Sequence, residues 1–414
     1  MERSKIRIVG WLRWLETYTK TDMVYLVKNS FWVNANTIVT SIFAFTLSVM
    51  FARFIDKEVY GTYQFLISVS GILGALTLTG MNTAVTQAVA RGFDGVLSTS
   101  IKTQTQFAII PFLAGIGASI YYFIQGNSIL SFAIVVIAIL LPITNTLNTW
   151  YPFLSGKKNF KSIFYYSFII NVIYYSGLIT CIIVFPYTFT LICINFFLLA
   201  CSNYIVYLLV KRKYPTKGGT EDKAIDYGKK LSLSNILPMI ALNIDNIAIF
   251  HFFGATHLAI YAFASNIPER LGSLLRPIAM VSFPKFAKKD QREMSKILPR
   301  KTLQLFTLAL IGGLIYLGIA PLFFKVFFPQ YVESVIYSQI YAIAIIIGIT
   351  GQLPLTSLLA TRSKSIYKFN ILSPLFSIIA ISSLVYFFGI WGAITGKIFS
   401  NSFSLFYSYI LKNE

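Results

Sequence analysis

Five charged residues fall inside stretches otherwise apolar enough for lipid: Asp245, Glu269, Arg270, Arg276 and Lys397. An ionised side chain at mid-bilayer costs at least ~2.5–3.5 kcal/mol on insertion scales, so such groups face a protein-lined or aqueous cavity and mark transport paths. Three are cations and two are acids. If each acid neutralises one cation, one positive charge remains for an anionic ligand such as a phosphate. At an effective dielectric of 20, a 4 Å contact is worth about 4 kcal/mol before desolvation, and a guanidinium offers a planar fork of donors that suits phosphate. Arg270, near the middle of its span, is therefore the principal candidate for substrate binding, with Arg276 or Lys397 as a second contact. Arg276 lies six residues further along, which turns it about 120° from Arg270 on a helix. The competing reading is that Glu269, Asp245 and the arginines neutralise one another and only fix helix packing.

Asp245, within Asn243-Ile244-Asp245-Asn246, reads as an isolated carboxylate among polar amides. A carboxylate whose burial changes during a cycle can exchange a proton or a cation, so Asp245 and Glu269 are candidates for ion coupling. Hydrogen bonding between helices is the alternative for both. Asn145, Asn148, Asn171 and Tyr174 present amides and an aromatic face, the groups that bond and stack on sugar rings. Tyrosines are also ordinary residues of the membrane–water interface.

Other chemistries find little support. Cys181, Cys193 and Cys201 have no Cys-x-x-Cys spacing, and His251 and His257 are the only histidines, so no metal site is expected. No P-loop or Gly-rich nucleotide cradle is present, and no catalytic residues and no cofactor are expected. Of 414 residues, 56% are hydrophobic and 12% charged, against about 25% charged in soluble domains. The chain reads as all-α and integral to a membrane.

Apolar spans fall at 31–52, 62–85, 104–124, 128–152, 163–185, 187–209, 232–253, 257–282, 303–324, 334–359, 367–388 and 390–410. Each is near the ~20 residues that cross a bilayer, which gives twelve transmembrane helices. Of the 35 lysines and arginines, 29 fall before the first span, in alternate connections or at the end, and three fall on the opposite side. This bias predicts that both termini are cytoplasmic. The net charge of +20 is thereby explained by orientation and anionic lipids, and nucleic acid is not expected as a partner.

Residues 1–30 read as a cytoplasmic N-terminal amphipathic segment. The polar stretch 211–230 reads as a cytoplasmic linker between two six-helix lobes, 31–210 and 231–414. Tyr63, Phe65, Gly74 and Leu76 recur as Tyr261, Phe263, Gly272 and Leu274 at one offset of 198, the pattern of a parallel repeat, which places substrate between the halves. Connections on the non-basic side are very short, which disfavours a membrane-embedded glycan polymerase or ligase.

Phe51-Ala-Arg53-Phe, Lys57-Glu58-Val-Tyr60-Gly61-Thr-Tyr63, Gly80-Met-Asn82 and Ala90-Arg91-Gly92 resemble segments of the multidrug/oligosaccharidyl-lipid/polysaccharide exporter superfamily, in its polysaccharide-flippase branch. Asp245-Asn-Ile-Ala-Ile-Phe, Tyr261-Ala-Phe-Ala-Ser-Asn-Ile-Pro268 and Phe283-Pro284-Lys285 carry the resemblance through the second half. It implies a V-shaped, two-lobed fold like that of MATE transporters, with a cationic cavity. It also implies a Wzx-type flippase of a bacterial inner membrane, moving an undecaprenyl-pyrophosphate-linked oligosaccharide (O-antigen or capsular repeat unit) to the outer leaflet. Expected partners are that lipid-linked substrate, membrane lipids, a polysaccharide polymerase and a chain-length regulator; H+ or Na+ would be the coupling ion. A cation-coupled multidrug exporter of the same fold is the alternative, although the interior cations outnumber the acids.

Overall fold

The computed structural model describes residues 23–214, 219–286, 291–360 and 365–413. Most of the expected amphipathic segment 1–30 lies outside the described residues. Those described are overwhelmingly helical, with no strand among them. In a lipid environment a helix satisfies its backbone donors and acceptors internally, which is why apolar runs of this length take that form.

The first half contains α1 (Met23–Phe54), α2 (Lys57–Ala75), α3 (Met81–Ala90), α4 (Val96–Phe107), α5 (Ile109–Ile124), α6 (Ser128–Leu147), α7 (Trp150–Gly156), α8 (Phe160–Val184) and α9 (Thr188–Lys213). The second contains α10 (Asp222–Ala241), α11 (Ile244–Phe286), α12 (Gln291–Phe327), α13 (Ser334–Ala360) and α14 (Ser365–Asn413). Nine helical stretches among the described residues are long and apolar enough to cross a membrane, so the protein is multi-pass. Two of the nine run to 52 and 45 residues, well beyond one crossing. Both are broken by a glycine in the left-handed region, Gly254 (φ 82°) and Gly389 (φ 57°), a conformation that side chains with a Cβ rarely adopt. Those breaks fall between the spans expected at 232–253 and 257–282, and at 367–388 and 390–410.

Local chemistry sets several helix starts. Asn127 and Asn159 cap α6 and α8, each side-chain oxygen accepting from the backbone N–H three residues on, which satisfies one of the donors a helix N-terminus leaves open. The second expected span is interrupted. Between α2 and α3 the chain turns through Leu78, at φ 56°, and Gly80 donates its N–H to Ser232 Oγ at 2.9 Å. The expected linker 211–230 is also partly helical, since α9 continues to Lys213 and α10 begins at Asp222. Polar residues there extend the two helices beyond their apolar parts.

Within the first half α6 packs on α5 and α9, and α1 on α8; within the second, α13 packs on α11, α12 and α14. Across the halves the main contacts are α2 on α11 and α3 on α10. The largest hydrophobic core is shared by both halves, and much of it lies where α1 and α2 meet α11, α12 and the turn at Pro329–Tyr331. There Tyr60 packs on Phe263 (ring centroids 4.7 Å), and Phe263 on Tyr331 (4.0 Å). All three rings are fully buried.

Candidate functional site

The resemblance motif at residues 51–63 forms a clasp between the two halves. Arg53 donates from Nη2 to the Val326 carbonyl at 2.8 Å, and Lys57 pairs with Glu333. At Gly61 an added Cβ would lie 1.8 Å from the Ala255 carbonyl oxygen, so only glycine permits the contact. Phe65 stacks on Phe250 at 3.9 Å, and Asn246 Nδ2 donates to Ser68 Oγ at 2.9 Å. Around this motif the halves are thus joined by aromatic and amide contacts, the Arg53 bond to a carbonyl and one exposed ion pair.

Arg270 lies seven residues beyond Phe263 on α11, about 10 Å by helix rise, beneath the aromatic layer. Its Nε donates to Asn266 Oδ1 at 2.6 Å, one turn earlier on the same helix. Nη2 reaches α1, donating to Ser48 Oγ at 3.1 Å and to the Ala44 carbonyl at 3.3 Å. Among the described residues Arg270 forms no ion pair. A half-buried guanidinium is therefore held between the halves by neutral acceptors alone. Such contacts orient the fork and leave its charge uncompensated.

The neighbouring Glu269 turns away from Arg270. It is exposed, and its Oε1 accepts from the Tyr341 hydroxyl at 2.7 Å. Asp245 is not isolated. It is 4% exposed; Oδ1 accepts from the Asn246 N–H, while Oδ2 accepts from the Tyr261 hydroxyl at 2.7 Å and from Lys397 Nζ at 3.2 Å. Tyr261 and Tyr341, both fully buried, meet edge to face at 5.9 Å. Asp245, Lys397 and the two tyrosines thus form one largely buried polar string through α11, α13 and α14, which ends at the exposed Glu269. Arg276 lies on α11, but its side chain is outside the described residues.

Expected neutralisation is therefore realised in part and by a different pairing. Asp245 takes Lys397, Glu269 takes a phenol, and Arg270 keeps its charge. Tyr261, Tyr341, Ser48 and Asn266 were missed from sequence. Asn266 had a signal, since it stands four residues before Arg270 and such pairs share a helix face.

Of the expected sugar contacts, Asn145 and Asn148 line a polar cavity of about 270 Å³ beside the α2–α3 break. Asn171 and Tyr174 are elsewhere: Asn171 Nδ2 donates to Thr40 Oγ1 at 2.8 Å, and the Tyr174 hydroxyl donates to Asn195 Oδ1 at 2.6 Å. Tyr63 shares that acceptor at 3.0 Å. These two residues tie helices together and do not meet the asparagines of α6. Of the cysteines, Cys181 is buried and Cys193 and Cys201 half-buried, and no cluster of metal-ligating residues occurs among the described residues.

The profile of a family described as polysaccharide biosynthesis protein matches residues 26–290. The chain belongs to that family. Its fold is that of the multidrug/oligosaccharidyl-lipid/polysaccharide exporter superfamily. The lipid II flippase MurJ, in an inward closed conformation, superimposes with a TM-score of 0.70 at 12% identity, over 92% of this chain and 87% of that one. An outward-facing multidrug resistance MATE transporter gives 0.62 at 12% identity, over 94% of each. A transporter of the same superfamily from Pyrococcus furiosus, described by the reverse polarity of its binding pocket, gives 0.56 at 12% identity, over 94% of each. At these identities the likeness is one of fold. No curated protein sequence matches the chain.

Proposed function

We propose that this protein is a transporter and not an enzyme: a flippase that carries an undecaprenyl-pyrophosphate-linked oligosaccharide, an O-antigen or capsular repeat unit, from the cytoplasmic to the periplasmic leaflet of a bacterial inner membrane. The observation that carries the reading is Arg270, a guanidinium between the halves, oriented by Asn266, Ser48 and the Ala44 carbonyl and in no ion pair among the described residues. A pyrophosphate supplies the missing charge. Family membership supports the polysaccharide substrate, and the flippase and exporter folds support movement across the bilayer. Arg276 is the second contact in this scheme, because Lys397 is engaged by Asp245.

In the same reading both termini are cytoplasmic and the chain crosses twelve times, as two lobes of six helices. The nine apolar stretches, the breaks at Gly254 and Gly389, and the α2–α3 pair support that number. The clasp at Arg53–Gly61 then lies at the periplasmic end, and transport alternates between this state and one in which it has parted. Asp245 and Glu269 couple it to an ion. We favour H+ over Na+, since a sodium ion at Asp245 must displace a tethered ammonium. A polymerase and a chain-length regulator would act on the product.

Complementation of a strain lacking its own flippase, with membrane abundance of each variant measured alongside, tests the anchor. Arg270→Ala is expected to abolish surface polysaccharide at normal abundance, and Arg270→Lys to restore part of it, because a point charge replaces the fork. Full export by Arg270→Ala would overturn the assignment.

A further inference from the structure

Where α2 breaks, the chain walls a cavity of about 270 Å³ with Thr77, Thr79, Asn82, Gln104, Asn145 and Asn148. No charged side chain lines it, while Leu141 and Met239 supply apolar wall. Thr79 Oγ1 is shielded from solvent and finds no hydrogen-bond partner among the described residues. An unmade hydrogen bond in a buried site is costly, and each such group calls for an explanation. The amides and hydroxyls each offer both a donor and an acceptor. That is the complement of a sugar hydroxyl, which also does both, whereas a phosphate only accepts. The volume lies just below the ~300–1,000 Å³ of drug-sized sites, the scale of a single ring.

The fold does not require this polarity. At the offset of 198, Ser70 and Gly74 of this cavity correspond to Pro268 and Gly272, which line a cavity of about 200 Å³ in the second half. Its other walls include Leu271, Ala309 and Ile345. The same architecture thus carries an apolar cavity on one side and an amide-lined one on the other. Asn82 and Asn148 are exposed at the mouth, and Thr77 and Gln104 are buried at the back. Asn145 Nδ2 donates to Thr77 Oγ1 at 2.9 Å, and Gln104 Nε2 to Thr149 Oγ1 at 3.1 Å, which fixes the orientation of both amides.

We propose that this cavity is a subsite for one uncharged pyranose of the oligosaccharide, read through its hydroxyls, and that it sets sugar preference. The inference rests on the lipid-linked oligosaccharide reading and assigns that substrate's sugar a place separate from the Arg270 anchor. Met239 brings α10 into its wall, and Gly71 lets Asn243 approach to within 2.7 Å of where a Cβ would stand. The subsite is therefore complete only while α2 and the α10–α11 junction stay together.

Saturation-transfer NMR on the full chain, in nanodiscs whose lipids carry no sugar, tests it with glucose, galactose and N-acetylglucosamine, and with glucuronate as a charged comparison. Transfer is expected to at least one neutral sugar, more weakly to glucuronate. Asn148→Leu, at the exposed mouth, and Thr79→Val are each expected to weaken it by about tenfold, the scale of one unmade hydrogen bond. Thr180→Val, on α8, is expected to leave it unchanged. No transfer to any of the three neutral sugars, as for a cavity that holds water only, or equal transfer in both cavity variants, would overturn the subsite. If those results come while Arg270→Ala still abolishes export, the subsite falls and the flippase reading stands; if Arg270→Ala exports normally, the reading itself falls.

Discussion

At the scale of single residues, what separates Asp245, Glu269, Arg270 and Lys397 is their partners. Asp245 and Lys397 stand 152 residues apart, with side chains 6% and 14% exposed. Removing one partner from such a pair strands the other, at a cost of about 3–5 kcal/mol, whereas replacing both by apolar groups is close to neutral. Asp245→Asn is therefore expected to lower the thermal unfolding midpoint in detergent more than the double variant Asp245→Asn/Lys397→Met; the reverse order would show that the pair does not matter to stability. If Asp245 also exchanges protons, Asp245→Asn flattens the dependence of export on the proton gradient, and removing sodium has no effect on the wild type. Unchanged gradient dependence in both Asp245→Asn and Glu269→Gln would confine the acids to packing. The presence of these charges was legible in the sequence, because a charge stands out in an apolar run. Their pairing was not. It depends on α14 lying against α11, a contact that no local spacing encodes. Asn145 and Asn148 were legible as polar residues on a helix, but Thr79 had no signal, since its place in the cavity wall follows from the turn at Leu78.

At the scale of elements, hydropathy located most helices and misjudged their joints. The glycine breaks at 254 and 389 were readable because each sits in a gap between two apolar runs. The α2–α3 break lies inside a single apolar run, and there a cross-half contact to Ser232 accompanies the turn. The motif at 51–63 is the converse case: its residues were quoted for their resemblance, and the structure gives them a mechanical role. The Lys57–Glu333 pair is exposed, and a pair of that kind adds little stability, so its position matters more than its energy. Cysteines at positions 57 and 333, joined by a short bifunctional thiol reagent, are expected to stop export, and reductive release to restore it. Export that continues with the link in place would mean that this end does not open. Gly61→Val drives a side chain against the Ala255 carbonyl and is expected to impair export through the same contact, with a raised reactivity of a cysteine at position 263 as the sign that the clasp has loosened.

At the scale of the whole molecule, the basic residues set the frame. Lysines and arginines outnumber acids 35 to 15, and the proposed orientation rests on their uneven distribution between alternate connections. An impermeant thiol reagent on intact cells is expected to label cysteines at 127 and 256 and to spare position 219; the opposite pattern would invert the molecule. With that proposed orientation, the contacts at residues 53–61 face the periplasm, and Asp245 and Glu269, the acids proposed for ion exchange, sit on the second half. The measurement that tests this most directly is transbilayer movement itself. In proteoliposomes holding a labelled undecaprenyl-pyrophosphate-linked oligosaccharide in one leaflet, the wild-type chain is expected to move label to the other, and Arg270→Ala to reduce the rate at least about tenfold, the loss of one charge-assisted contact. Equal rates for wild type, Arg270→Ala and protein-free vesicles would contradict the account.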